Sequence, residues 1–190
     1  SNFSYGCSSL VSIDMNNLTL GTNSNKVISR ILNNGSLKTI NANNFNFIGD
    51  SVSISNIFSN NNHIETLNIS GWNTSNVGNT SYVVNNCNVI TINVSSWENI
   101  NISRSKNFIY SCPNLTTVDL SNTYIGNYNT SSLIVDCPNL ANLIINDLVI
   151  GGTANVKGLV NSSSITSITA KNWEYLNNNK INKVFESHPS

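Results

Sequence analysis

Seven times along the chain, a six-residue window carries apolar residues at its first, fourth and sixth positions, and successive windows begin 25 to 27 residues apart. Leu115, Val118 and Leu120 define the window. It recurs as Leu10/Ile13/Met15, Leu37/Ile40/Ala42, Ile64/Leu67/Ile69, Val89/Ile92/Val94, Leu140/Leu143/Ile145 and Ile165/Ile168/Ala170. A period of this length marks a stacked-repeat architecture. Two further positions move in step. Three residues past each window stand Leu18, Phe45, Trp72, Trp97, Thr123, Leu148 and Trp173. Six residues before each stand Ile31, Phe58, Val83, Ile109, Ile134 and Leu159, with Phe3 seven before the first.

A window with alternating inward apolar and outward polar residues is a short strand beside a polar turn. One such unit cannot bury its apolar face alone, so successive units must stack around a shared core. The expected fold is therefore a repeat solenoid, a leucine-rich-repeat-like right-handed coil. It has a parallel β-sheet on one face and short helical or irregular segments on the other. The strand cores fall near 10–15, 37–42, 64–69, 89–94, 115–120, 140–145 and 165–170, so residues 1–190 read as a single solenoid segment of about seven repeats. The last residues, Val184 to Ser190, align with Phe108 to Asn114 and stop one residue before an eighth core position, while Phe3 begins midway through a unit. With no polar cap at either end, the segment is expected to be cut from a longer array at both ends.

About a fifth of the chain is asparagine, and only 9% is charged. Asparagine bonds its own backbone and tolerates the left-handed conformation of tight turns, so a fold with many turns accommodates it. The formal net charge is zero, which leaves no electrostatic footprint for nucleic acid. No apolar run is long enough to insert in a membrane.

The residues that carry chemistry are few and scattered. Cys7, Cys112 and Cys137 share one repeat position, and Cys87 sits one residue nearer its window. Stacking would bring Cys112 and Cys137 within disulfide range, but a tight corner needs only a small apolar group, so buried thiols are the expectation. No Cys/His spacing suits a metal. His63 lies in a polar turn and His188 at a cysteine position, too far apart in this register to act together. The carboxylates form no pair suited to acid–base work. Neither a catalytic constellation nor a cofactor motif is present, and the chain reads as a non-enzyme. The Trp72, Trp97 and Trp173 position also holds Leu18, Phe45 and Leu148, which signals packing rather than ligand stacking. The exposed strand face is the most informative surface. Its third-position row includes Thr39, Thr66, Thr91 and Thr117, and its fifth-position row Asn41, Asn68, Asn93 and Asp119. Together these eight residues are the candidate binding face.

Three segments resemble the BspA-like leucine-rich repeats of microbial surface proteins. They are Ile64-Glu-Thr-Leu-Asn-Ile-Ser-Gly-Trp72-Asn-Thr-Ser-Asn-Val77, Phe3-Ser-Tyr-Gly-Cys7-Ser-Ser-Leu10 and Tyr110-Ser-Cys112-Pro-Asn-Leu115. The resemblance implies a cell-surface or extracellular protein used in adhesion, with a protein or glycan partner on a host or neighbouring cell. A structural spacer or assembly element, such as part of a fibre, sheath or phage tail, is the other expectation, with end-to-end self-association.

Overall fold

The outward residues of each window, flanking its fourth position, are threonine, serine, asparagine or aspartate in most copies. These residues suit a pleated surface with one wet face. In the computed structural model, which describes residues 9–21, 36–98, 100–102, 107–128, 133–151, 159–161, 164–175 and 185–186, each window centres on a strand. The strands are Ser12–Asp14, Thr39–Asn41, Thr66–Asn68, Thr91–Asn93, Thr117–Asp119, Asn142–Ile144 and Ser167–Thr169. They form one seven-stranded parallel sheet in chain order, here the front sheet. Ile13, Ile40, Leu67, Ile92, Val118, Leu143 and Ile168 share one register row. The chain is a parallel β-solenoid.

Where helical segments were expected, the described residues contain no helix. Beyond the front sheet the chain runs extended along two further rows. One holds Ile100–Ile102, Tyr124–Tyr128, Val149–Ile150 and Glu174–Tyr175 as a four-stranded sheet, with the pairs Thr19–Gly21/Asn46–Ile48 and Val52–Ser53/Val77–Asn79 beside earlier coils. The other is a six-stranded back sheet of Phe58–Ser59, Val84–Asn85, Ile109–Tyr110, Ile134–Val135, Val160–Asn161 and Phe185–Glu186. The reason is local. Residues with positive φ interrupt each return, and a helix that must stop after a few residues never repays its nucleation.

Those interruptions recur coil by coil. Just after the front strand stand Asn17, Asn44, Gly71, Ser96, Asn122, Asp147 and Asn172, all with φ between 52° and 68°. Just after the back strand stand Asn60, Asn86, Ser111 and Asp136, again left-handed. At Gly71 a Cβ would meet the Asn44 side-chain oxygen, so a larger residue at this corner needs that amide to move.

The back sheet corrects two register assignments. Phe58, Val84, Ile109, Ile134 and Val160 are in register, so the row passes through Val84 and Val160 rather than Val83 and Leu159. The return from back sheet to front window is one residue shorter in those two coils, and counting backwards from the window loses that residue. Both members of each doublet are buried, which hides the slip in an apolar pattern. Phe3, Cys7, Ile31 and His188 lie outside the described residues.

One apolar cluster runs from Met15 to Val160 without a break. All three window positions are buried in the five central copies. Leu10 and Ile13 are only half-buried, and Ile168 and Ala170 are exposed. An aromatic column crosses the core: Phe45 stacks on Trp72 with centroids 5.0 Å apart, and Trp72 on Trp97 at 4.9 Å. Each indole N–H donates to a carbonyl of the preceding coil, Trp72 to Ala42 and Trp97 to Ile69. Thr123, which replaces tryptophan in the next coil, donates its hydroxyl to the equivalent carbonyl of Val94 at 3.3 Å. The hydrogen bond persists where the ring does not.

Trp97→Ala is expected to destabilise the fold by about 3–5 kcal/mol, because it removes the last, fully buried ring of this column. At the left-handed corner Asn122, glycine should be nearly neutral, whereas valine should cost roughly 1–2 kcal/mol. Urea unfolding followed by circular dichroism measures all three.

Candidate functional site

The front sheet brings the eight predicted residues together. Thr39, Thr66, Thr91 and Thr117 occupy one register row, and Asn41, Asn68, Asn93 and Asp119 the row two residues on. Their side chains face outward from the buried middle row, and all eight are half-buried or exposed. No charge enters until Asp119.

The fifth-position row has a structural duty as well. Asn93 and Asp119 each accept the backbone N–H of the residue two further on, Ser95 or Ser121, at 2.9 Å, and Asn68 does the same for Ser70 at 3.4 Å. These Asx turns start the corner that leads to the left-handed residue. The turn uses the side-chain oxygen of Asn68 and Asn93 and not their amide N–H groups. Next to the row, Ser121 Oγ is buried without a hydrogen-bond partner. The threonine row is less committed; Asn142 Nδ2 donates to Thr117 Oγ1 at 3.4 Å.

A third row, at the second window position, completes the surface. It contains Val11, Lys38, Glu65, Ile90, Thr116, Ala141 and Thr166. Backbone hydrogen bonds hold it, and the Thr116 and Thr166 hydroxyls add bonds to the Ile90 and Ala141 carbonyls at 3.2 and 3.4 Å. The Lys38 carbonyl accepts the N–H groups of both Glu65 and Thr66, and the Glu65 carbonyl those of Ile90 and Thr91. The same fork recurs at Val11, Ile90, Thr116 and Ala141. The side chains of the row are therefore free to vary. Lys38 Nζ meets Glu65 Oε1 at 2.9 Å, with both side chains about half exposed. Beside them Asn62, His63, Asn88, Ile90 and Asn114 complete a shallow groove of about 280 Å³. Ile90 gives it an apolar floor that is 41% exposed. The ion pair adds little stability at that exposure. It supplies polarity at the groove wall.

The second-position row and the groove escape a reading of the window alone, because their members become neighbours only through stacking. The signal was the change in residue type at the position after each core leucine or isoleucine. A second cluster was missed on the back sheet. Tyr82 and Tyr110 meet edge to face with centroids 5.7 Å apart. A hydrogen bond to Asp136 raises the Tyr110 phenol above its ordinary value.

The cysteines form a closer set than the window spacing implied. Cys87, Cys112 and Cys137 each lie three residues past the in-register row Val84/Ile109/Ile134, so Cys87 belongs to the ladder. All three are buried thiols outside any disulfide. Burial pushes Cys87 up to about 12. Cys112 is also raised, first because its S–H donates to Cys137 and then by burial, and the same bond lowers Cys137. Trp72 and Trp97 lie in the core as expected, but Trp173 is 37% exposed, with no described coil stacked over its outer face. His63 lines the groove. Among the described residues no three His, Cys, Asp or Glu side chains converge on a metal position.

Residues 28–124, half of the chain, match the sequence model of a family described as "Mycoplasma protein of unknown function, DUF285". Neither a curated protein nor a solved structure matches the chain.

Asp136→Asn is expected to bring the Tyr110 phenol down toward its ordinary titration range, since the charge goes and the amide oxygen that replaces it is a weaker, neutral acceptor. Ultraviolet titration of the single variant against the parent protein measures the shift.

Proposed function

Because the chain belongs to the family described as Mycoplasma protein of unknown function, DUF285, we propose that it is a non-catalytic binding module of a microbial surface protein. It recognises a glycan or protein of a host or neighbouring cell through the front of the solenoid. The observation that carries this reading is the in-register ladder of threonine hydroxyls and asparagine amides across four adjacent coils. Such a surface offers donors and acceptors at one spacing, about 4.8 Å, on a backbone fixed by its neighbours. An extended, uncharged, hydroxyl-rich ligand fits that chemistry. The groove beside Lys38, Glu65 and Ile90 adds a place where a charged or apolar end group finds a partner. The finer assignment, to leucine-rich repeats of the BspA-like kind at the cell surface, is supported by the segments around Trp72 and Cys112 that carry the resemblance.

A second reading, a structural spacer or assembly element, is favoured by one observation. The side-chain oxygens of Asn68, Asn93 and Asp119 are spent on turns, so part of the ladder exists to make the corner. The two readings differ in what the surface does when altered. Thr66→Lys or Thr91→Lys, each adding a charge to the ladder without touching the core, should weaken ligand capture roughly tenfold or more, equivalent to about 1.4 kcal/mol. Glycan-array binding of the intact chain, with circular dichroism to confirm the fold, is the measurement. Absence of binding together with ordered end-to-end filaments would replace the first reading with the second.

A further inference from the structure

The back sheet sets Cys87, Cys112 and Cys137 in one row, three residues past the in-register strand positions Val84, Ile109 and Ile134. Neighbouring parallel strands stand about 4.8 Å apart, within the roughly 4.4–6.8 Å between Cα atoms that a disulfide spans. The three thiols are not equivalent. Cys87 donates its S–H to carbonyl oxygens of Phe58 at 3.3 Å and Asn85 at 3.4 Å. Cys112 donates to the Tyr110 carbonyl at 3.5 Å and Cys137 to the Val135 carbonyl at 3.4 Å, each within its own coil, and the Cys112 and Cys137 side chains also interact with each other.

We propose that Cys112 and Cys137 close a coil-to-coil disulfide when the protein meets a peroxide, with Cys87 left as a thiol. The Cys137 sulfur is the nucleophile, because the Cys112 S–H stabilises its thiolate. It attacks one peroxide oxygen, the O–O bond breaks, and Cys137 becomes a sulfenic acid. The Cys112 sulfur then displaces that oxygen, the S–O bond breaks and the S–S bond forms. Overall two thiols and one hydrogen peroxide give one disulfide and two waters, with two electrons passing from the sulfurs to the peroxide oxygens. Peroxide is close to water in size and reaches the row through local opening of the back sheet. The product would covalently fasten two central coils that otherwise hold together by packing and hydrogen bonds alone.

The test treats the intact chain with hydrogen peroxide under native conditions, blocks remaining thiols after unfolding, and maps the peptides by mass spectrometry. The expected result is a mass lower by two hydrogens before blocking, a linked peptide pair containing Cys112 and Cys137, and Cys87 recovered in blocked form. The link should survive Cys87→Ser and disappear in Cys137→Ser. The parent protein's own peptide map decides the matter even if that variant folds poorly. Recovery of Cys112 and Cys137 as thiols, as separate sulfinic or sulfonic acids, or in any other pairing would overturn the proposal.

Discussion

The structure depends on backbone hydrogen bonds between coils. At one position per coil, Met15 N–H donates to the Asn41 carbonyl, Ala42 to Asn68, Ile69 to Asn93, Val94 to Asp119, Leu120 to Ile144 and Ile145 to Thr169, all at 2.8 or 2.9 Å. No coil can satisfy these groups internally, and buried backbone polar groups left unpaired are costly. Each coil is therefore stable only between neighbours of the same shape. This constraint fixes the period, because changes in length are tolerated only where the ladder is already interrupted. The coils spaced at 25 and 27 residues keep their front strands in register for that reason.

The corners explain the composition. A coil of about 26 residues that carries three extended runs must turn sharply, and the left-handed positions are where it does so. Seven of the thirteen described non-glycine residues with positive φ are asparagine. Asparagine also ladders between coils: Asn44 bonds Asn17 at 3.1 Å, and Asn86 bonds Asn60 at 2.9 Å. Its abundance follows from corner geometry repeated coil after coil. It does not mark a binding site by itself.

The front sheet was legible in full because its period-2 alternation and the window spacing describe the same strand. The rest was less so, for two physical reasons. The returns looked helical or irregular because their apolar residues come in doublets, Phe108-Ile109 or Leu133-Ile134, that match neither period. A residue at a corner and the next in a strand both point inward, and alternation fails there. The offset of Cys87 arose the same way, since distance from the window is not distance from the back strand. For the site, the rows through Thr66 and Asn68 could be read from one coil, whereas Lys38, Glu65, His63 and Ile90 come from three different coils and meet only once the stacking offset is known.

The three outward rows also differ in how tightly the fold holds them. The fifth-position row is bound to asparagine or aspartate wherever it caps a turn. The third-position row runs to threonine, serine or asparagine, small polar residues that suit a parallel sheet. At the second position the carbonyl accepts two N–H groups from the next coil whatever the side chain, and threonine there, at Thr116 and Thr166, adds a hydroxyl bond to the same ladder. That row accordingly spans valine, lysine, glutamate, isoleucine, threonine and alanine within one chain. A solenoid can change ligand preference along this row without touching its core or its corners. The groove lies where that freedom is most used, at Lys38, Glu65 and Ile90, and selectivity at the proposed binding surface should reside there.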